Sequence, residues 1–102
     1  MTPAAYHLSK LARLDLMNIA DYTVDTWGEA QALRYLDSLE ACFQRLVKAP
    51  EIGRTCNRIR PGYRRIEHER HVILYRVDRD GVFISRILHQ RMLPSEHWIE
   101  DE

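Results

Sequence analysis

The sequence predicts an α+β domain: a helical hairpin packed on a small, mainly antiparallel sheet, in the order β-α-α-β-β-β. Three observations lead there. Apolar residues recur at helical period through two stretches that meet at Gly28. Past residue 62 the period changes to two, in three runs rich in Val, Ile, Tyr and Phe. Asp78-Arg79-Asp80-Gly81 then punctuates the last two runs as a hairpin turn does. Two amphipathic helices need a partner surface, and the sheet that follows supplies one. At 102 residues the chain, 1–102, is read as a single domain with one modest core.

The elements follow in order. Residues 4–9 (AAYHLS) are short, strand-compatible and abut a helix, so they read as the first strand. Ser9 is a natural N-cap, because its hydroxyl can accept from an unsatisfied N–H of the first turn. Ala12, Leu16, Ile19, Ala20, Thr23 and Trp27 share one helical face, with Arg13, Asp15, Asn18, Asp21 and Asp25 largely elsewhere. Leu14, Met17 and Val24 form a second apolar stripe, roughly 110° round at helical pitch. That stripe is either the margin of a wide buried face or a docking surface for a partner chain. Gly28 ends this helix by tolerating a left-handed cap.

The second helix is expected over 29–49, with Ala32, Leu36, Leu39, Phe43, Leu46 and Val47 facing inward. Pro50 stops it, since the residue before a proline avoids the helical region. Residues 50–62 read as a loop. Strands are expected over 63–67, 70–77 and 82–89. Strict alternation sets Phe83, Ser85, Ile87 and His89 on one face, and Val82, Ile84, Arg86 and Leu88 on the other. Both faces are mostly apolar, so both should be at least partly covered. The tail 94–99 is compatible with a short helix capped by Ser95.

The total charge of zero hides an uneven field. Residues 54–91 hold ten arginines against four acids, a net of +6. Residues 1–53 sum to −2 and residues 92–102 to −4. A basic middle attracts polyanions or an acidic protein surface. No apolar run is long enough to span a membrane, and the N-terminus lacks the pattern of a signal peptide, so a cytoplasmic protein is expected. Cys42 and Cys56 then read as reduced thiols.

The order of motifs resembles the ParE-type toxins of the RelE/ParE superfamily, over nearly the whole chain. The likeness rests on Leu8-Ser9 followed by Ala12, Asp15-Leu16, Ile19 and Tyr22, and on Trp27-Gly28 with Gln31-Ala32 and Tyr35. It continues through Pro50, Gly53-Arg54, Ile59-Arg60-Pro61-Gly62-Tyr63-Arg64-Arg65, His71-Val72-Ile73 and Tyr75-Arg76. It closes on Ile84, Arg86-Ile87-Leu88-His89, Met92 and His97. The resemblance implies the same β-α-α-β-β-β fold. It implies the toxin of a type II toxin–antitoxin pair, bound by a ParD-like antitoxin, with inhibition of DNA gyrase as the usual toxicity. Such an antitoxin carries a ribbon-helix-helix N-terminus and a disordered acidic C-terminal segment. DNA is then reached only through the antitoxin complex.

The residues themselves argue for binding over catalysis. The RelE-like branch of the superfamily cleaves messenger RNA, which needs an acid, a base and cations for the phosphorane charge. Here His89 is followed by Gln90, which moves no proton usefully, and both lysines lie outside the basic segment. No catalytic residue is therefore assigned; a ribonuclease would have to use His89, Arg86 and Arg64. Arg60, Tyr63, Arg64, Arg65, Arg76, Arg86, His89, Met92 and Trp98 are the candidates for gripping a target. Leu14, Met17, Val24, Arg58 and Arg60 are the candidates for the antitoxin. The bland alternatives are strand arginines paired to Glu67 or Glu69 and a strand-end His89 bonded to backbone. An inactive relative that only binds the antitoxin is a further alternative. His68 and His71 would point to opposite faces of an extended chain, the cysteines lack partners at ligand spacing, and no metal site or cofactor is expected.

Overall fold

The structure is a computed structural model that describes residues 6–92. Strand β1 is Tyr6–Leu8, helix α1 Lys10–Trp27, helix α2 Glu29–Lys48, and a 3-10 turn covers Pro50–Ile52. Strands β2 (Arg54–Thr55), β3 (Tyr63–His68), β4 (His71–Asp78) and β5 (Gly81–His89) follow. The sheet order is β1-β5-β4-β3-β2, with β1 parallel to β5 and every other pairing antiparallel. The expected α+β architecture is therefore present, with one strand more than the periodicity revealed. That strand, β2, has two residues and no period to read. The expected tail helix, with Pro94, Ser95 and Trp98, lies outside the described residues.

Ser9 closes both ends of the first connection. Its Oγ accepts from the Ala12 N–H at 2.9 Å and donates to the Ser85 carbonyl at 2.6 Å. Its own N–H reaches the Ile84 carbonyl at 3.0 Å. A buried serine with all three polar groups satisfied locks the start of α1 onto β5. Gly28 serves as C-cap of α1 and N-cap of α2, but not in the left-handed geometry expected. Its φ of 92° and ψ of 167° lie in a region essentially reserved for glycine.

Leu39, Cys42, Phe43 and Leu46 of α2 are buried against Ile73, Tyr75, Val82, Ile84 and Ile87 of the sheet. Each fully buried leucine contributes about 1.5–3 kcal/mol. On the far face Val72, Leu74 and Leu88 form a second, smaller cluster, covered by Cys56, Ile59 and Met92. Both faces are thus covered, the rear one by the 56–62 loop.

Strict alternation fails once, in β5. Leu74 pairs with Arg86 and Tyr75 with Ile84, so Ser85 is an extra residue in a β-bulge. Past the bulge Ile87 joins Val82 and Ile84 on the helix side, not Phe83 as alternation required. The longer β5 also runs past the short β1, leaving an edge that α1 completes.

Candidate functional site

Asp15 completes that edge. Its carboxylate accepts from the Ile87 N–H at 2.9 Å, where a strand would have bonded. The same carboxylate takes Nε and an Nη of Arg86 at 2.8 and 2.9 Å. The side chains are 11% and 13% exposed, so this is a largely buried, bidentate ion pair. The Arg86 charge is thereby answered inside the fold.

Beyond Asp15 the two layers diverge and leave a half-open groove of about 720 Å³. One wall is the α1 stripe Asp15, Asn18, Ile19, Tyr22, Thr23 and Trp27, at helical spacing. The other is the β3–β4 turn with the end of β5: Glu69, Arg70, His71, Ile87, His89 and Met92. Tyr35 of α2 contributes as well. Trp27, expected on the core face, is instead 55% exposed, and Tyr22 is 62% exposed.

The polar chemistry of the groove is ordered. His68 and His71 do not diverge as in a continuous strand. The two-residue turn Glu69-Arg70 sets them directly opposite each other across the β3–β4 ladder. The Tyr35 hydroxyl lies 2.6 Å from His71 Nδ1, and the Ser38 hydroxyl 2.9 Å from His68 Nε2. Burial, then the neighbouring His89, His68 and Arg70, push His71 down to about 4. A neutral His71 accepts the Tyr35 phenol proton at Nδ1. Burial pushes Tyr35 up to about 12, so it remains a donor. The His89 ring meets the His71 ring edge-on at 5.6 Å, and its Nδ1 accepts from the Arg91 N–H at 3.1 Å. Arg70 is exposed, with its guanidinium 5.5 Å from the Trp27 ring centroid. Glu69, at φ 53°, holds the turn in the left-handed region, and the Arg70 carbonyl accepts from the Gln90 N–H at 2.7 Å.

Of the residues singled out as target-binding, the groove gathers Arg86, His89 and Met92. The register places Tyr63, Arg65 and Arg76 on the sheet face away from the helices, a face that Arg86 also takes past the bulge, with its guanidinium meeting Asp15 at the edge of β5. Tyr63 is buried; Arg65 meets Glu67 at 3.0 Å; Arg76 lies over the Phe83 ring at 4.3 Å and bonds Asp78 at 3.2 Å. Arg54 also reaches Glu67 at 2.7 Å, and although burial works the other way, the two arginines hold that carboxyl below its ordinary range. Arg64 is two strands from β5, bonded to the Gly53 carbonyl at 2.7 Å. Arg60 is half-buried and Arg58 exposed in the 56–62 loop. Trp98 lies outside the described residues. Leu14, Met17 and Val24, at 51%, 61% and 39% exposure, face solvent on α1. Beside them runs a shallower apolar groove lined by Leu16, Met17, Ala20, Leu36 and Phe43.

The sequence reading passed over Tyr22, Trp27, Tyr35, Arg70 and His71 as groove residues. A signal was present: Asp15, Asn18, Ile19 and Tyr22 mix polar, aliphatic and aromatic types on one stripe, which marks a wall better than a core. Among the described residues no group of three or more His, Cys, Asp or Glu is placed to hold a metal ion. No described helix is long and apolar enough to cross a membrane.

Comparison with known proteins adds the family. Residues 6–94 match the model of the ParE toxin of the type II toxin–antitoxin system parDE. The chain is 44% identical over 88 residues to Toxin ParE1 of Mycobacterium tuberculosis, covering 85% of this chain and 90% of that one. It is 38% identical over 92 residues to Toxin ParE1 of Caulobacter vibrioides, covering 90% and 95%. In structure it resembles a chain of the chromosomal ParDE TA system from P. aeruginosa, with a TM-score of 0.72 at 23% identity, over 83% of this chain and 94% of that one.

Proposed function

Since the chain belongs to the ParE toxin family of type II toxin–antitoxin systems, we propose that it arrests growth by binding an essential partner, DNA gyrase, without chemistry of its own. A ParD-like antitoxin keeps it silent. The observation that carries this reading is the state of the groove. Arg86, which shares the groove with His89, is committed to Asp15, and Arg64 is two strands from β5. Those three groups do not converge on one phosphate, as transition-state stabilisation would require. What the groove does offer is open aromatic surface, which is binding chemistry.

The antitoxin belongs on the other flank of α1. There Leu14, Met17 and Val24 are open, and the neighbouring apolar groove suits an amphipathic helix. An acidic segment continuing from that helix finds its complement in the basic segment, with Arg58 exposed in the loop. Expression of this chain alone should stop growth, and co-expression of the adjacent antitoxin gene should restore it. Purified protein should inhibit supercoiling by gyrase. Full supercoiling at saturating, folded toxin would remove the target while leaving the toxin class in place.

One observation favours a second reading: His89 and Arg86 do share the groove. For a ribosome-dependent RNA-cleaving toxin, induction should yield codon-phased cuts in messenger RNA, abolished by His89→Ala. Intact messages under full growth arrest exclude it.

A further inference from the structure

We infer that the groove between α1 and the end of β5 is the receptor for an aromatic side chain of the target that is carried next to a carboxylate. This rests on the target-binding reading above and names what the target must present. The ring would lie among Tyr22, Trp27 and Tyr35, and the carboxylate on Arg70.

Four features of the groove support that choice. Its volume, about 720 Å³, falls within the roughly 300–1,000 Å³ of built ligand sites. Its walls hold Tyr22 and Trp27 more than half open to solvent, an arrangement that gains most when another ring covers them. Among the described residues Arg70 has no carboxylate partner, yet it is not loose. Trp27 lies beneath its guanidinium, and its backbone is fixed by the Glu69 conformation and the bond from Gln90. The other cation of the wall, Arg86, is already neutralised by Asp15, so Arg70 is the charge left for a partner to answer.

The same charges select the class of ligand. A nucleotide phosphate would meet Glu69 beside Arg70 and Asp15 at the far wall, and would find too few cations. One carboxylate against one guanidinium is balanced, and a planar arginine pairs with it in bidentate fashion. The groove therefore fits an aromatic–acidic pair on a protein loop better than a nucleic acid.

The experiment has two arms. In the first, gyrase supercoiling is titrated with wild type, Trp27→Ala and Arg70→Glu, each checked for native circular dichroism and for capture by the antitoxin. Both variants should need at least tenfold more toxin for half inhibition while still binding antitoxin. Inhibition at the wild-type concentration overturns the inference and leaves gyrase as the target. Loss of antitoxin capture by natively folded variants also overturns it, since the groove then belongs to the antitoxin. In the second arm, isotope-labelled toxin is titrated with indole-3-propionate and, separately, with tryptamine. The carboxylate probe should shift the Trp27 indole N–H and the Arg70 and His71 amides, and tryptamine should shift them far less. If wild type does not inhibit gyrase, the target assignment fails and this arm alone decides the specificity of the groove. Equal response to both probes, or none, ends the inference.

Discussion

The two halves of α1 are built for different ends. The first half is bonded into the sheet: Ser9 reaches Ile84 and Ser85, and Asp15 reaches Arg86 and Ile87. Among the described residues the second half, from Ile19 to Trp27, makes no side-chain hydrogen bond to the sheet; its side-chain bond runs within the helix, from Thr23 Oγ1 to the Ile19 carbonyl at 2.6 Å, and its end overhangs a groove. A helix clamped by polar groups at one end can leave its other end open without losing its place. The clamp supplies the rigidity that a binding surface needs, and the overhang supplies the surface.

Breaking the clamp should cost most. Asp15→Ala removes the carboxylate that answers the largely buried Arg86 guanidinium and the Ile87 N–H, for a loss of about 3–5 kcal/mol. Urea denaturation should show it, and at about 4–8 °C per kcal/mol a thermal scan should too. Adding Arg86→Met should recover much of the loss, because the largely buried charge is then removed along with its counterion. Ser9→Ala removes the N-cap and the hydroxyl's bond to the Ser85 carbonyl, for about 2 kcal/mol by the same measurement.

Acid should loosen the junction behind the groove. His71 faces Tyr35 from α2, His68 from β3, Arg70 from the turn, His89 from β5 and Asp15 from α1. Its folded value, about 4, lies below the ordinary 6.5, so the unfolded chain binds the proton more readily. The stabilising contribution is complete above about pH 6.5 and is lost as pH falls through 4. For a half-buried ring the loss is on the order of 1–2 kcal/mol. Urea midpoints at pH 7 and pH 5 should differ accordingly, and His71→Gln should flatten the difference.

The overhang should tolerate change best. Trp27→Ala is expected to alter stability by less than about 0.5 kcal/mol, as surface positions do. A large loss would mean that Trp27 is part of the core and that the division of α1 is false.

Much of this fold was legible in local signals. Ser9 and Gly28 bound the first helix, Pro50 follows the second, and Asp78 to Gly81 turn the last hairpin, each where residue chemistry placed it. The bulge at Ser85 was not legible, because an inserted residue in a strand whose two faces are both mostly apolar leaves no clear mark on a period of two. That one slip moved Ile87 to the helix side. Trp27 was misplaced for a related reason: helical phase gives direction, not how far the opposing layer extends.

The chain's own pattern of apolar spacing, caps and turns determined the helices, the strands and their order, since those depend on neighbours within a few residues. Tertiary structure alone decided that Asp15 would answer Arg86 across 71 positions of sequence, that the basic residues would divide between two faces of the sheet, and that a groove would open under Trp27. Charge pairing and cavity shape arise where distant segments meet, and no local period encodes the distance between them.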